Sequence, residues 1–137
     1  MKLATRTFIL RTDAAFLGLA SFGGFVADIA GSFFGKGPFA SIIGQPPHAG
    51  IGFTEAHGLA FIFAVLLWRA SSERSWHLTA VAVHALLGSA NLAFWPLFAA
   101  ADQMAMGYLT TTLHWTLVIA QLIAARSASQ ADRSKAS

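Results

Sequence analysis

The sequence predicts an all-α integral membrane protein, a four-helix bundle, and three observations carry that prediction. Four apolar segments are each close to the roughly 20 residues that a helix needs to cross a bilayer. Hydrophobic residues make up 55% of the chain and charged residues only 11%, against about 25% charged in soluble domains. Basic residues gather at alternate connections between the apolar segments. Helices are the expected spanning elements, because an open sheet would leave backbone groups unpaired in lipid.

Each apolar segment is assigned one membrane span, and the connections between spans are polar or break helices. Residues 35–50 are rich in glycine and proline and cannot form one continuous helix. We expect one amphipathic turn in this connection, at residues 39–43. The next link, residues 69–75, is short and charged. The bundle occupies residues 14–125, with spans predicted at about 14–34, 51–68, 76–98 and 104–125.

The two ends of the chain are predicted to lie outside the bundle. Residues 1–13 form a basic N-terminal segment. The apolar run after it is longer than that of a signal peptide, so we expect a retained first helix. Residues 126–137 read SASQADRSKAS after Arg126 and have the composition of a disordered tail.

The distribution of basic residues predicts the orientation. Four spans would put only Lys36 on one side of the membrane and all other basic residues on the opposite side. Lysine and arginine favour the cytoplasmic side, so both termini are expected in the cytoplasm, at a bacterial inner (plasma) membrane. No basic patch with interleaved aromatic residues occurs, and nucleic acid is not an expected partner. The predicted cytoplasmic residues are Lys2, Arg6, Arg11, Arg69, Arg74, Arg126, Arg133 and Lys135.

Polar side chains inside the spans are few and costly in lipid, so they are expected to face the bundle interior. His84 and Asn91 fall on one face of the third span, seven residues apart, and His114 lies on the fourth span. At about 1.5 Å per residue, His84 and His114 lie near the midplane and Asp28 in the outer half. The predicted ligand-binding residues are Glu55, His57, His84, Asn91 and His114.

Two kinds of chemistry fit these residues. Imidazoles at one depth on two helices, His84 and His114, are the arrangement that axial ligands of a b-type haem require. The same residues fit the lining of a quinone site. Desolvation favours the neutral form of a carboxyl group, so Asp28 and Glu55 are the predicted proton carriers.

No metal and no catalytic residue is assigned. Asp28, Glu55 and His57, with His48, offer carboxylate and imidazole ligands, but no zinc spacing such as H-E-x-x-H occurs. A hydrogen-bonded network of these side chains is the favoured interpretation. The chain has no cysteine, which excludes disulfides, thiolate metal sites and thiol catalysis. It also lacks a Ser/His/Asp arrangement, a phosphate loop and a nucleotide fingerprint.

Residues 35–70 read GKGPFASIIGQPPHAGIGFTEAHGLAFIFAVLLWRA. This stretch resembles the DoxX-like group of small four-helix membrane proteins. In that group a Gly/Pro-rich outer segment precedes a second helix that opens near an acid and ends at a basic turn. Glu55, Gly58 and Arg69 occupy those positions here. The resemblance is mainly topological and implies a subunit of a membrane oxidoreductase system, linked in some members to quinones.

These observations favour a subunit or binding module of a membrane redox system that holds a lipophilic ligand, quinone or b-type haem, between its helices. A proton-coupled small-molecule transporter that uses Asp28 and Glu55 is one alternative. A structural accessory subunit, whose polar residues only hydrogen-bond between helices, is another. The expected partners are the lipid bilayer and either a larger membrane complex or further copies of the chain.

Overall fold

The computed structural model describes residues 1–44 and 49–136, and within these residues every regular element is a helix. The elements, in chain order, are α1 (Leu3–Phe34), α2 (Ala40–Ile43), α3 (Ala49–Arg69), α4 (Arg74–Ala93), α5 (Trp95–Ala100) and α6 (Met104–Ala136). By length and apolar composition, α1, α3 and α6 are able to cross a membrane. The all-α class is confirmed, and three candidate membrane-spanning helices support contact with a bilayer.

Helix α1 is longer than the predicted first span because its basic beginning is also helical. It begins at Leu3, within the segment 1–13 that was predicted to lie outside the bundle. Arg6, Leu10 and Asp13 follow one another at spacings of four and three residues and are buried, so they lie on one face of the helix. Packing of this face explains the added turns.

Gly35 ends α1 in the left-handed conformation, with φ of 63°. Its backbone N–H donates to the Gly31 carbonyl at 3.2 Å. Glycine adopts this conformation without the steric cost that other residues bear. The chain therefore turns at the start of the Gly/Pro-rich connection, and α2 supplies the helical turn that was expected near residues 39–43.

The third predicted span, 76–98, is divided in the structure. Helix α4 ends at Ala93, Phe94 leaves the helical conformation, and α5 begins at Trp95. Pro96 explains the break, because proline lacks a backbone N–H and cannot continue the hydrogen bonding of a preceding helix.

The tail predicted as disordered is the last part of α6, which continues to Ala136. Ala124, Ala125 and Ala128 are buried. The Ser127 hydroxyl donates to the Met1 carbonyl at 3.2 Å. The extension of α6 therefore packs beside the beginning of α1, which the polar composition of the tail did not indicate.

The long helices pack as two antiparallel pairs, α1 with α3 and α4 with α6, and α1 also contacts α6. Small side chains allow close approach, as helices in membranes commonly require. A Cβ atom on Gly18 would lie 3.5 Å from the Ala64 Cβ. The main apolar core consists of Leu10, Ala14, Leu17, Ala60, Ala64, Leu67, Ala70 and Ala80.

The beginning of α1, the link between α3 and α4, and the end of α6 lie at the same end of the molecule, which we call the basic end. Arg11 connects two of these parts, since it donates to the Leu67 and Ala70 carbonyls at 2.8 and 3.0 Å. Leu67 lies in the last turn of α3 and Ala70 directly follows the helix, and a cation is favourable at this end of a helix. We call the other end, which carries α2 and α5, the opposite end.

Candidate functional site: a buried polar chain

Six polar side chains from the basic end to the middle of the molecule form a continuous series of hydrogen bonds, which we call the polar chain. Five of the six are buried, and His114 is partly exposed. They come from α1, α4, α6 and the link before α4. In order of contact, the members are Ser72, His77, Gln121, Asp13, His84 and His114.

Asp13 lies where three helices meet. Its Oδ1 atom accepts a hydrogen bond from His84 Nε2 of α4 at 2.6 Å. Its Oδ2 atom accepts one from the Gln121 side-chain amide of α6. Asp13, His84 and Gln121 are each fully buried. Carboxylates that accept hydrogen bonds from buried donors are well satisfied, and each such bond is stronger than one between neutral groups.

The branch toward the basic end passes through His77. Gln121 uses its amide nitrogen toward Asp13, so its Oε1 atom accepts from His77 Nδ1 at 2.5 Å. His77 Nε2 then accepts from the Ser72 hydroxyl at 2.8 Å. The hydrogen-bond partners thus assign the Nδ1-protonated tautomer to a neutral His77.

The other branch joins two imidazoles. His84 Nδ1 and His114 Nδ1 lie 2.9 Å apart, and the ring centroids are 5.2 Å apart. A hydrogen bond between two imidazole nitrogens requires that one carries the proton and the other offers a lone pair. Since His84 Nε2 donates to Asp13, Nδ1 of a neutral His84 accepts from the Nδ1–H of His114. A proton taken up at His114 Nε2 would make that ring an imidazolium, and its Nδ1 proton could then pass to His84 Nδ1.

This contact does not fit His84 and His114 as axial ligands of one haem. Axial ligands lie on opposite faces of the macrocycle with the iron between their nitrogens. Here the two nitrogens contact one another directly. The second nitrogen of His84 is already bound to Asp13.

A second acid–imidazole pair lies nearer the opposite end, between α1 and α3. His57 Nδ1 is 2.6 Å from Asp28 Oδ2. The Asp28 side chain is 4% exposed and that of His57 is 37% exposed. Gly24 makes the contact possible, because a Cβ atom at this position would lie 2.5 Å from the His57 ring.

The five predicted ligand-binding residues do not line one cavity. His84 and His114 are in contact, and His57 belongs to the separate pair with Asp28. Asn91 donates to the Thr110 hydroxyl at 3.1 Å, between α4 and α6. Glu55 is exposed on α3 and has no hydrogen bond among the described residues.

Sequence reasoning missed the centre of the polar chain. Asp13 was assigned to the segment outside the bundle, and His77 was not among the predicted site residues. A signal for both was present in the spacing of polar residues. His77 and His84 are seven residues apart on α4, as His114 and Gln121 are on α6. Antiparallel packing of two such helices brings both pairs into register, His77 to Gln121 and His84 to His114.

Within the part of the chain that the structure describes, no group of three or more His, Cys, Asp or Glu side chains is arranged to hold a metal ion. His48, a candidate ligand in the sequence, lies outside the described residues.

An open apolar groove of about 600 Å³ runs between α1 and α3. Small residues form its floor and large apolar residues its walls. It presents almost no polar surface and does not touch the polar chain. Its lining consists of Ala14, Ala15, Gly18, Leu19, Phe22, Phe61, Ala64, Val65 and Trp68.

Comparisons with protein-family models, with curated proteins and with solved structures found no match to this chain. The resemblance to the DoxX-like group therefore stays a prediction.

Proposed function

We propose that this protein is a small proton-coupled transporter, in which the polar chain binds and releases the proton. The observation that carries the proposal is the unbroken series of buried hydrogen bonds around Asp13. Ionisable side chains inside a membrane are expensive, and where they pair with one another they commonly mark proton relays. In this chain Asp13 takes the role that the sequence assigned to Glu55.

The groups of the polar chain suit proton exchange. An imidazole accepts a proton at one nitrogen and releases it from the other, which makes histidine the usual proton shuttle. The 2.9 Å contact between His84 and His114 lets a proton pass from one ring to the other. The Asp13 carboxylate would stabilise the positive charge that arises when the imidazoles take up a proton.

The pair of Asp28 and His57 supplies a second proton-binding site in the other half of the molecule. Its 2.6 Å contact joins an almost fully buried carboxyl group to a partly exposed imidazole. His57 can therefore exchange protons with the outside, while the polar chain serves the basic end. Asp28 keeps the proton-carrying role predicted from the sequence, and it acts together with His57.

We further propose that α4 is a fourth membrane span, which gives a four-helix bundle with both termini in the cytoplasm of a bacterial inner membrane. Its 20 residues would be about 30 Å long, the thickness of the hydrocarbon core. Its most apolar stretch is less hydrophobic than those of α1, α3 and α6, because it carries His77, His84 and Asn91. All three side chains have partners inside the protein, so their polarity does not oppose insertion.

A membrane redox subunit that holds a lipophilic ligand is a second candidate, supported by the apolar groove between α1 and α3. Its volume of about 600 Å³ is in the range of small-molecule sites. A quinone tail would fit its apolar walls, and a larger complex or a second copy of the chain would cover it. Solvent extraction of the purified protein tests this candidate, since a redox subunit should release quinone.

Proton movement in liposomes tests the first candidate. The purified protein is reconstituted with a pH-sensitive dye trapped inside, and an inward pH gradient is imposed. We expect the wild type to acidify the interior faster than empty liposomes, and Asp13→Asn to lose most of that rate. Asp102→Asn is the matched control, because Asp102 is exposed at the opposite end in a left-handed conformation that asparagine also adopts.

The results separate the candidates. Loss of proton flux in Asp13→Asn, with normal flux in Asp102→Asn, would support the transporter. If a survey of small molecules and ions in the bath never raises proton flux above that of empty liposomes, the transporter proposal fails. The polar chain would then be a set of interhelical hydrogen bonds, worth about 0.6 kcal/mol each.

A further inference from the structure

Arg6 is a buried cation without a partner among the described residues. The residue is 8% exposed, and its Nε and Nη1 atoms are enclosed with no hydrogen-bond acceptor. A guanidinium group stays protonated at every physiological pH. An uncompensated buried charge of this kind is strongly unfavourable, so an acceptor from outside the described residues is expected to pair with it.

The carboxylates described at the basic end accept hydrogen bonds from groups other than Arg6. Asp13 accepts hydrogen bonds from His84 and Gln121. Glu73 is exposed and accepts from the Ser71 hydroxyl at 2.7 Å. The described part of this end therefore offers Arg6 no free carboxylate.

The surroundings of Arg6 are positively charged, which favours an anion. Lys2, Arg74 and Arg126 are exposed at the same end. The charge of Arg6 also acts on the imidazole of His77, which is a member of the polar chain. An anion bound here would neutralise Arg6 and lie within the field of several further cations.

We propose that Arg6 binds a phosphate group. The planar guanidinium fork matches the geometry of phosphate oxygens and can donate two parallel hydrogen bonds to them. Arg6 precedes Asp13 by seven residues, which places it about 10 Å closer to the basic end along α1. That is the level of lipid headgroups if the apolar span begins near Ala14. The headgroup of an anionic lipid and a phosphate in solution present the same chemistry to Arg6.

Thermal unfolding in a maltoside detergent tests the proposal, because this detergent contains no phosphate. Unfolding temperatures are compared without addition, with phosphatidylglycerol, with diacylglycerol of the same acyl chains, and with inorganic phosphate against sodium chloride of equal ionic strength. We expect phosphatidylglycerol or inorganic phosphate to raise the unfolding temperature of the wild type by several degrees. Diacylglycerol and sodium chloride should not do so.

Variants test whether the rise in unfolding temperature depends on Arg6. Arg6→Gln should unfold no lower than the wild type without additions, since it removes an unpaired charge, and it should lose the response to phosphate. Arg6→Met provides the same test if the glutamine variant fails to fold. Lys36→Gln, which alters an exposed cation at the opposite end, should respond like the wild type.

A response to phosphatidylglycerol alone would identify a lipid headgroup as the source, and a response to inorganic phosphate alone would identify a soluble ligand. The proposal is overturned if neither raises the unfolding temperature, if sodium chloride acts equally well, or if Arg6→Gln keeps the response. None of these results depends on proton flux, so the phosphate site and the transporter proposal can fail separately.

Discussion

Asp13 is the residue on which the buried hydrogen bonding depends most. Its two oxygens accept from His84 of α4 and from Gln121 of α6, and no water reaches the carboxylate. A buried donor that loses its acceptor bears the cost of desolvation without compensation. Removal of this one charge therefore affects three helices together.

We expect Asp13→Asn to destabilise the protein by roughly 2–3 kcal/mol. The side-chain NH₂ of asparagine would face one of the two groups that donate to the carboxylate, and that donor would lose its acceptor. Thermal unfolding in detergent measures the loss. Asp102→Asn should leave the unfolding temperature unchanged. An Asp13→Asn variant as stable as the wild type would mean that the carboxylate is not charged or not bound as described.

Gly24 permits the contact between His57 and Asp28. A Cβ atom on Gly24 would come within 2.5 Å of the His57 ring, whereas one on Gly23 would meet nothing within 4 Å. We expect Gly24→Ala to push His57 off Asp28 and to cost about 1–3 kcal/mol, as overpacking usually does. Gly23→Ala should be neutral or slightly stabilising, since alanine favours a helix.

The His57 ring resonances in an NMR spectrum and the unfolding temperature check the Gly24 prediction together. A shift of the His57 signals in Gly24→Ala but not in Gly23→Ala is the expected result. Equal behaviour of the two variants would show that the ring does not lie over α1.

At the residue scale, the sequence predicted which side chains are buried polar groups better than it predicted their partners. His84 and His114 were expected at one depth, and they are in contact. Asp13 was not recognised, because three basic residues precede it and polar composition indicated a segment outside the bundle. Only the packing of α1 against α4 and α6 reveals that its carboxyl group is buried.

Among the elements, α4 is less apolar than a typical membrane span, but its two histidines are buried between helices. Its polar residues lower its apolar character, yet His77, His84 and Gly88 are buried. Gly88 sets the approach of α4 to α6, since an added Cβ would lie 3.0 Å from Trp115 Nε1 and 3.3 Å from the His114 Cβ. The spacing of the two helices, and with it the contact of the imidazoles, therefore depends on a small residue here.

We expect Gly88→Val to separate α4 from α6, to break the contact of His84 with His114, and to cost about 1–3 kcal/mol. Ser89→Val is the control, because Ser89 is the next residue of α4 and is exposed. Unfolding temperature and the histidine ring signals are the measurements. A Gly88→Val variant with wild-type signals would contradict the described helix contact.

The ends of helices are predictable in principle where glycine or proline sets the backbone conformation. Gly35 ends α1 and Pro96 interrupts the third apolar segment through backbone chemistry, although the effect of Pro96 was not foreseen. The extension of α6 to Ala136 was not predictable from polarity, since Ala128 is buried and Ser127 contacts Met1 at the beginning of the chain.

For the whole molecule, the exposed surface is rich in large apolar side chains, such as Leu19, Phe33 and Leu86, which are 70–78% exposed. Lipid or another protein must cover them, as large exposed apolar surfaces are unfavourable in water. The described basic residues of α1, α3, α4 and α6 lie at one end, with Lys36 at the other. The sequence could predict this separation because it depends only on the order of the helices.

The topology proposal predicts which positions a membrane-impermeant thiol reagent reaches in intact bacterial spheroplasts. The chain has no cysteine, so a single introduced cysteine is a unique label. Lys36→Cys and Asp102→Cys should react from outside, and Ser71→Cys only after lysis. If α4 does not cross the membrane, Asp102→Cys should behave like Ser71→Cys instead.

We propose above that the polar chain takes up and releases a proton, and NMR of the isotope-labelled histidine ring nitrogens across pH tests this proposal. Signals are assigned with single His→Gln variants of the protein in lipid nanodiscs. We expect the ring-nitrogen signals of His84 and His114 to change together as the pH is varied, and Asp13→Asn to alter that change. If both rings keep one tautomer at every pH at which the protein stays folded, the polar chain only holds the helices together by hydrogen bonds. The proposal that it takes up and releases a proton would then be wrong.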